Sequence, residues 1–187
     1  MAPILRLASA IDRLNDVVGR TVSWLAVFLV LCQFALVILR YVFGVGSIFM
    51  QESILYAHGA MLMLAAGYAL AADGHVRVDI FYREGTARRK ALINLIGVIV
   101  LLLPFAAVVG ITAWPYVLES WLTLEGSRET SGIPALFLLK SVIVLFALLL
   151  ALQGVALGLR SLACLSGHDD GLPGDGPAPA ADGRSGR

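Results

Sequence analysis

Four long apolar stretches constrain this chain more than any other feature of its sequence. They cover residues 22–43, 53–72, 92–117 and 134–159. A bilayer core about 30 Å thick is crossed by a helix of about 20 apolar residues, so each stretch is long enough to span it. The stretches do not alternate as barrel strands do, and only helices or closed barrels satisfy their backbone hydrogen bonds in lipid. The sequence therefore predicts an all-α integral membrane protein with four transmembrane helices.

Composition agrees with lipid as the solvent. Hydrophobic residues make up 59% of the 187 residues and charged residues 14%, whereas a soluble domain carries about 25% charged residues. A formal net charge of +1 provides no basic field for nucleic acid, so no nucleic-acid partner is expected. Cys32 and Cys164 are too far apart in sequence for a disulfide framework or a metal-ligand motif.

The distribution of basic residues predicts the orientation of the spans. Eleven of the fourteen Lys and Arg residues lie before the first span, between the second and third spans, or after the fourth. Short cytoplasmic loops accumulate Lys and Arg, so these three segments, and with them both termini, are expected on the cytoplasmic side.

The segments outside the spans differ from each other in character. Apolar residues recur in steps of three and four over residues 3–20, which predicts an amphipathic helix that lies on the inner leaflet or docks against another subunit. Residues 166–187 are rich in Gly and Pro with little apolar surface to bury, so they are expected to form a disordered tail after a membrane domain of residues 1–165.

Few polar side chains fall within the spans. Gln33 lies about midway in the first span, His58 and Lys140 lie about two turns into the second and fourth spans, and no span has an acidic residue at mid-depth. An ion-coupled transporter with its own ion path is expected to have such acidic residues. A haem would require a second histidine at similar depth, so the sequence predicts no cofactor, and His58 is interpreted first as a structural residue.

Lys140 and Glu52 each allow two interpretations. Lys140 is close enough to the outer surface for its ammonium to reach water, or it forms a buried pair with an acidic group such as Glu129 or Glu52. Glu52 stands just before the predicted second helix, where its carboxylate could act as a structural cap at the positive end of the helix dipole.

The second loop carries a charged patch formed by Asp73, His75, Arg77 and Asp79. Opposite charges so close together can pair with each other, so the patch is either a solvated loop or a contact surface for a partner. The sequence contains no set of nucleophile, base and orienting residue and no glycine-rich phosphate loop, so an enzyme is not expected.

Several short motifs are distributed over the spans and the loops between them. They are Arg-Tyr-Val-Phe at 40–43, Gln-Glu-Ser at 51–53, Asp-Gly-His-Val-Arg-Val-Asp-Ile at 73–80, Glu-Thr-Ser at 129–131, Pro134, Lys140 and Gln-Gly at 153–154. Together these motifs resemble the small membrane subunit, of DctQ type, of tripartite ATP-independent periplasmic (TRAP) transporters. The resemblance covers residues 20–160, and its most specific element is His-Val-Arg-Val-Asp at residues 75–79.

The resemblance implies a non-catalytic subunit in the bacterial inner membrane. It would scaffold a large membrane subunit that carries the sodium and substrate sites, while a periplasmic binding protein delivers an organic acid. The candidate subunit-contact or structural residues are Arg40, Glu52, His75, Arg77, Asp79 and Lys140. The alternative is an autonomous small transporter or channel that oligomerises through its Ala- and Gly-rich helix faces and uses Lys140 and His58 as polar pore groups.

Overall fold

Helices make up all of the regular structure that the computed structural model describes, which comprises residues 2–72 and 86–167. The elements are α1 (Ala2–Tyr41), α2 (Ile48–Leu64), α3 (Ala66–Ala71), α4 (Ala87–Gly97), a π-helical segment (Val98–Leu102), α5 (Leu103–Leu122) and α6 (Leu136–Leu165). The charged patch at 73–79 lies outside the described residues, as does the predicted tail except for Ser166 and Gly167, which follow α6.

Four helical stretches are long and apolar enough to cross a membrane. They are Pro3–Tyr41, Ile48–Ala71, Ala87–Leu122 and Leu136–Leu165. Each contains most or all of one predicted span, which confirms the predicted number of membrane helices. The helices differ from the predicted stretches at their ends, where α2 begins at Ile48 and α6 continues to Leu165.

The first helix is longer than the apolar stretch that predicts it. The expected amphipathic segment and the first span form one continuous helix of 40 residues, which corresponds to about 60 Å at 1.5 Å per residue. Gly19 lies where the helix passes closest to α3, since a Cβ at this position would be 2.3 Å from Cγ of Tyr68. The glycine therefore permits a contact between helix backbone and aromatic ring.

The central element of the fold is α6. It packs against α1, α2, α3, α4 and α5, whereas in the described residues the third span (Ala87–Leu122) packs only against α6. Ala147, Ala156 and Gly158 are buried along α6, and small side chains allow helix backbones to approach closely. The spans therefore form a more open arrangement than a closed four-helix bundle, with much of α1 and α5 exposed.

The third span contains a wide turn just before Pro104. Proline lacks an N–H and its ring clashes with the carbonyl four residues earlier. The chain adopts the π-helical segment there, in which the N–H of Leu103 donates to the carbonyl of Val98, and α5 then continues through Pro115 to Leu122. The helix is therefore not broken at Pro115.

The π-helical segment also packs closely against α6. A Cβ at Gly154 would be 2.6 Å from Cδ2 of Leu102, so the glycine makes room for the leucine side chain. The contact joins the third span to the central helix.

Candidate functional site

Two of the sequence-predicted residues, Glu52 and Lys140, meet the same loop, which connects α5 to α6 over residues 123–135. Arg40 lies in the last turn of α1 and is exposed. His75, Arg77 and Asp79 lie outside the described residues, so their proposed contacts stay a prediction. The structure therefore brings together one carboxylate from the second span and one ammonium from the fourth.

Glu52 lies inside α2 rather than before it. The helix begins at Ile48, and its cap is Ser47, whose Oγ accepts a hydrogen bond from the N–H of Met50 at 3.3 Å. The expectation that Glu52 caps this helix is therefore wrong, because α2 begins several residues before the apolar stretch.

The Glu52 carboxylate instead holds the α5–α6 loop. Its Oε1 accepts a hydrogen bond from the hydroxyl of Ser127, and its Oε2 accepts one from the backbone N–H of Ile133 at 2.6 Å. Gly132 lies against these groups, where a Cβ would be 2.7 Å from Oε1 of Glu52. One side chain of α2 thus joins both ends of the loop segment from Ser127 to Ile133.

Lys140 holds the same loop from α6. Its ammonium pairs with Glu125 Oε2 and lies 3.9 Å from the centre of the Tyr116 ring, where a cation is attracted by the negative face of the ring. Of the two interpretations that the sequence left open for Lys140, an ammonium that reaches water or a pair with an acidic group such as Glu129 or Glu52, the structure has the pair, and its acidic partner is Glu125.

Glu125 is positioned by the end of α5. The N–H of Glu125 donates to the carbonyl of Ser120 at 3.0 Å, and the N–H of Leu124 donates to that of Trp121 at 3.3 Å. Together with the positive φ of 46° at Leu124, these bonds form a Schellman motif. The motif directs the chain back so that the Glu125 carboxylate also accepts a hydrogen bond from the Ser120 hydroxyl at 2.8 Å.

The same contacts affect the protonation of the Glu125 carboxyl. Hydrogen bonds from Lys140 and Ser120 lower the pKa of the Glu125 carboxyl, which lies in the loop between the spans, below its ordinary value. The carboxylate form is thus the one that the surrounding donors stabilise. Glu52, Glu125, Ser127 and Lys140, called the loop cluster below, hold the loop at two places, to α2 through Glu52 and to α6 through Lys140.

A second cluster of polar side chains lies at the opposite ends of the spans, and it was not predicted from the sequence. Gln153 on α6 donates from Nε2 to Asp12 Oδ1 and accepts at Oε1 from Nδ2 of Asn15, each at 2.7 Å. Arg160 pairs with the other carboxylate oxygen of Asp12. These four residues form what we call the Asp12 cluster, which connects α1 to α6.

The Asp12 cluster is buried at its centre. Asn15 is completely buried and Gln153 is 3% exposed, whereas Asp12 and Arg160 are partly exposed. Gly67 of α3 lies directly against Asn15, since a Cβ there would be 2.2 Å from Oδ1. The cluster therefore fixes the N-terminal part of α1 to both α3 and α6.

A signal for this cluster was present in the sequence. Asn15 follows Ile11 by four residues and precedes Val18 by three, so it lies on the apolar side of an amphipathic pattern, and Gln153 interrupts an otherwise apolar span. Polar residues in such positions require partners from neighbouring helices. Asp12 and Arg160 lie 148 positions apart in the sequence, so no local pattern indicates that they pair.

Most polar groups in the two clusters bind one another, whereas Oδ1 of Asn15 and Nε of Arg160 are buried without a hydrogen-bond partner within the described residues. Within residues 2–72 and 86–167, no group of three or more His, Cys, Asp or Glu side chains could hold a metal ion. The hydrogen bonds of the loop cluster and the Asp12 cluster connect helices to one another and to a loop. This is the arrangement expected of residues that stabilise the fold.

Comparison with known proteins gives one match. A family model described as the DctQ component of tripartite ATP-independent periplasmic transporters matches residues 29–164, more than half of the chain. The matched range overlaps residues 20–160, over which the sequence motifs resemble this family. No curated protein and no solved structure matches the chain.

Proposed function

Because this chain belongs to the family of DctQ components of TRAP transporters, we propose that it scaffolds the large transport subunit of a sodium-coupled organic-acid importer. The family is an inner-membrane component, and four helices of this chain can cross a membrane. Sodium coupling, the organic-acid substrate and the scaffolding role are the proposed parts of this function.

One observation carries the scaffolding role: the polar groups that link the spans are engaged with one another at the two ends of the fold. Asp12 pairs with Arg160 and Gln153, Lys140 pairs with Glu125, and Glu52 binds the loop. Groups held in this way stabilise one arrangement of helices. A rigid set of spans suits a subunit against which a moving transport subunit works, whereas ion coupling normally uses intramembrane ionisable residues along an ion pathway.

The proposal includes an orientation. The distribution of basic residues supports cytoplasmic termini, which would put the loop cluster on the periplasmic side. Fusion of a reporter that fluoresces only in the cytoplasm to either terminus tests this orientation. Fluorescence from both fusions supports it, and a dark fusion at either terminus contradicts it.

The subunit contacts predicted from the resemblance remain part of the proposal. We expect Arg40, His75, Arg77 and Asp79 to contact the large subunit or to hold the second loop that makes the contact. Replacement of Arg77 by Glu should then reduce co-purification of the large subunit more than it reduces membrane insertion of this chain. Unchanged co-purification and uptake would assign the patch to a solvated loop.

The scaffolding proposal is tested by co-expression of this chain, with an affinity tag, and the large membrane subunit, followed by purification in mild detergent. Recovery of both subunits at a fixed ratio supports the proposal. Recovery of the tagged chain alone, or full organic-acid uptake in cells that lack this chain, would contradict it.

A further inference from the structure

An open groove of about 530 Å³ lies between α1 and α2. Its walls are apolar, with Val30 and Phe34 among the exposed side chains. Two polar side chains also line it, those of Gln33 and His58, and both are exposed. The groove thus combines an apolar surface with two groups that can donate and accept hydrogen bonds.

Both polar groups lie near the middle of the membrane. Gln33 precedes the end of α1 at Tyr41 by about 12 Å, and His58 follows the start of α2 at Ile48 by about 15 Å, at 1.5 Å per residue. The hydrocarbon core is about 30 Å thick. The two helices therefore place an amide and an imidazole at matching depth, far from either surface.

Neither side chain is satisfied by the rest of this chain. Gln33 and His58 make no hydrogen bond within the part of the chain that the structure describes. Acyl chains offer no hydrogen bonds, and polar side chains within membrane spans normally face a helix partner. The groove consequently requires a neighbour that supplies hydrogen-bonding groups at mid-depth.

A second copy of this chain is poorly suited to fill the groove. Three hydroxyls on the described spans, those of Thr21, Ser53 and Thr112, already donate to carbonyls of their own helices. A second copy could offer its own Gln33 and His58, but two concave grooves facing each other across a two-fold axis leave space between them. Insertion of a different face of the copy would give a heterologous contact that need not close.

We propose that this groove receives a transmembrane helix of the large transport subunit, and that this helix presents an uncharged hydrogen-bonding side chain to Gln33 and His58. The inference rests on the proposed function, because it requires assembly with a large membrane subunit. It adds the surface of this chain that makes the contact and the chemistry of the helix that binds there.

Replacement of both polar groups by leucine tests the proposal. The Q33L/H58L chain is co-expressed with the large subunit, tagged and purified in mild detergent, with T112V as the matched control. Thr112 is exposed on a different helix, and its hydroxyl bonds only to its own helix. We expect at least a tenfold loss of recovered large subunit for Q33L/H58L and no loss for T112V.

The control outcomes separate this inference from the proposed function. Equal recovery of the large subunit with the wild-type and the Q33L/H58L chains would overturn the groove assignment and leave the scaffolding role intact. Absence of the large subunit from the wild-type preparation would contradict the scaffolding role itself.

A crosslinking experiment tests the groove without removing its polar groups. A photoreactive phenylalanine analogue replaces Phe34 in the groove or Phe105 on α5, which are 65% and 52% exposed. We expect crosslinks from position 34 to the large subunit, identified by mass spectrometry, and far fewer from position 105. Crosslinks from position 34 to a second copy of this chain, or to lipid alone, would overturn the proposal.

Discussion

Gln153 on α6 donates a hydrogen bond to the carboxylate of Asp12 on α1 at 2.7 Å, across 141 positions of sequence. This contact fixes the N-terminal part of α1 to the central helix of the same chain. The segment was expected either to lie on the inner leaflet or to dock against another subunit. Its buried residues, such as Ile11, pack within this chain, while Leu7 and Leu14 remain about half exposed.

Loss of the Gln153 side chain should destabilise the protein. Replacement of Gln153 by Leu removes one hydrogen bond to Asp12 and one from Asn15, and unsatisfied buried polar groups cost about 1–3 kcal/mol each. We therefore expect Q153L to lower the thermal unfolding midpoint in detergent. Gln33→Leu is the matched control and should leave it unchanged, because Gln33 is exposed. Equal midpoints for the two variants would show that the Asp12 cluster contributes nothing to stability.

Two glycines offer a matched test of packing. A Cβ at Gly67 would meet Oδ1 of Asn15 at 2.2 Å, whereas a Cβ at Gly97 has no neighbour within 4 Å. Overpacking typically costs about 1–3 kcal/mol, and alanine in an open helical site is favoured over glycine by about 1 kcal/mol. We expect Gly67→Ala to lower the unfolding midpoint and Gly97→Ala to keep or raise it. A Gly67→Ala protein as stable as the wild type would contradict the close contact between α3 and Asn15.

The Glu125 carboxyl predicts how stability depends on acidity. The pKa of this carboxyl in the folded protein is lowered from its ordinary value of 4.5. Its contribution to the free energy of unfolding is therefore complete above the ordinary value and is lost as the pH falls through the lower pKa of the folded protein. Thermal unfolding between pH 7 and pH 3 should show a steeper loss for the wild type than for Glu125→Gln. Glu119→Gln is the control, because Glu119 is exposed and forms no ion pair within the described residues. Parallel curves for wild type and Glu125→Gln would exclude the predicted contribution.

Glu52 should control the local stability of the α5–α6 loop. Replacement by Ala removes the acceptors for Ser127 and for the N–H of Ile133, so the loop should open more often. We expect trypsin to cleave after the exposed Arg128 several-fold faster in Glu52→Ala than in the wild type, as measured by mass spectrometry. Gln51→Ala, an exposed neighbour on the same helix, should cleave at the wild-type rate. An unchanged rate in Glu52→Ala would mean that this carboxylate does not hold the loop.

The sequence predicts the spans well because a membrane helix requires only that one continuous stretch of chain is apolar and long enough to cross the bilayer. The partners of Glu52 could not be predicted in this way. One of them is the backbone N–H of Ile133, 81 positions away. Almost every residue has a backbone N–H, so a pattern of side chains does not indicate which of them is the donor. A pair with an acidic residue was one of two interpretations of Lys140, and the Schellman motif at Leu124 positions Glu125 as the residue that forms it.

The open packing of the spans could also not be predicted from the sequence. Small residues in α6 indicated close helix contacts, and Gly154 makes one with Leu102. A composition of small residues does not show which helices meet, so the central position of α6 and the exposed groove at Gln33 and His58 appear only in the folded arrangement.

Uptake by reconstituted vesicles tests the central claim most directly. Vesicles are prepared with this chain alone, with the large subunit alone, or with both, and a sodium gradient drives labelled organic acid in the presence of the periplasmic binding protein. The account predicts uptake only when both membrane subunits are present and no flux through this chain alone. Flux through this chain alone, or full uptake with the large subunit alone, would contradict its role as a scaffold.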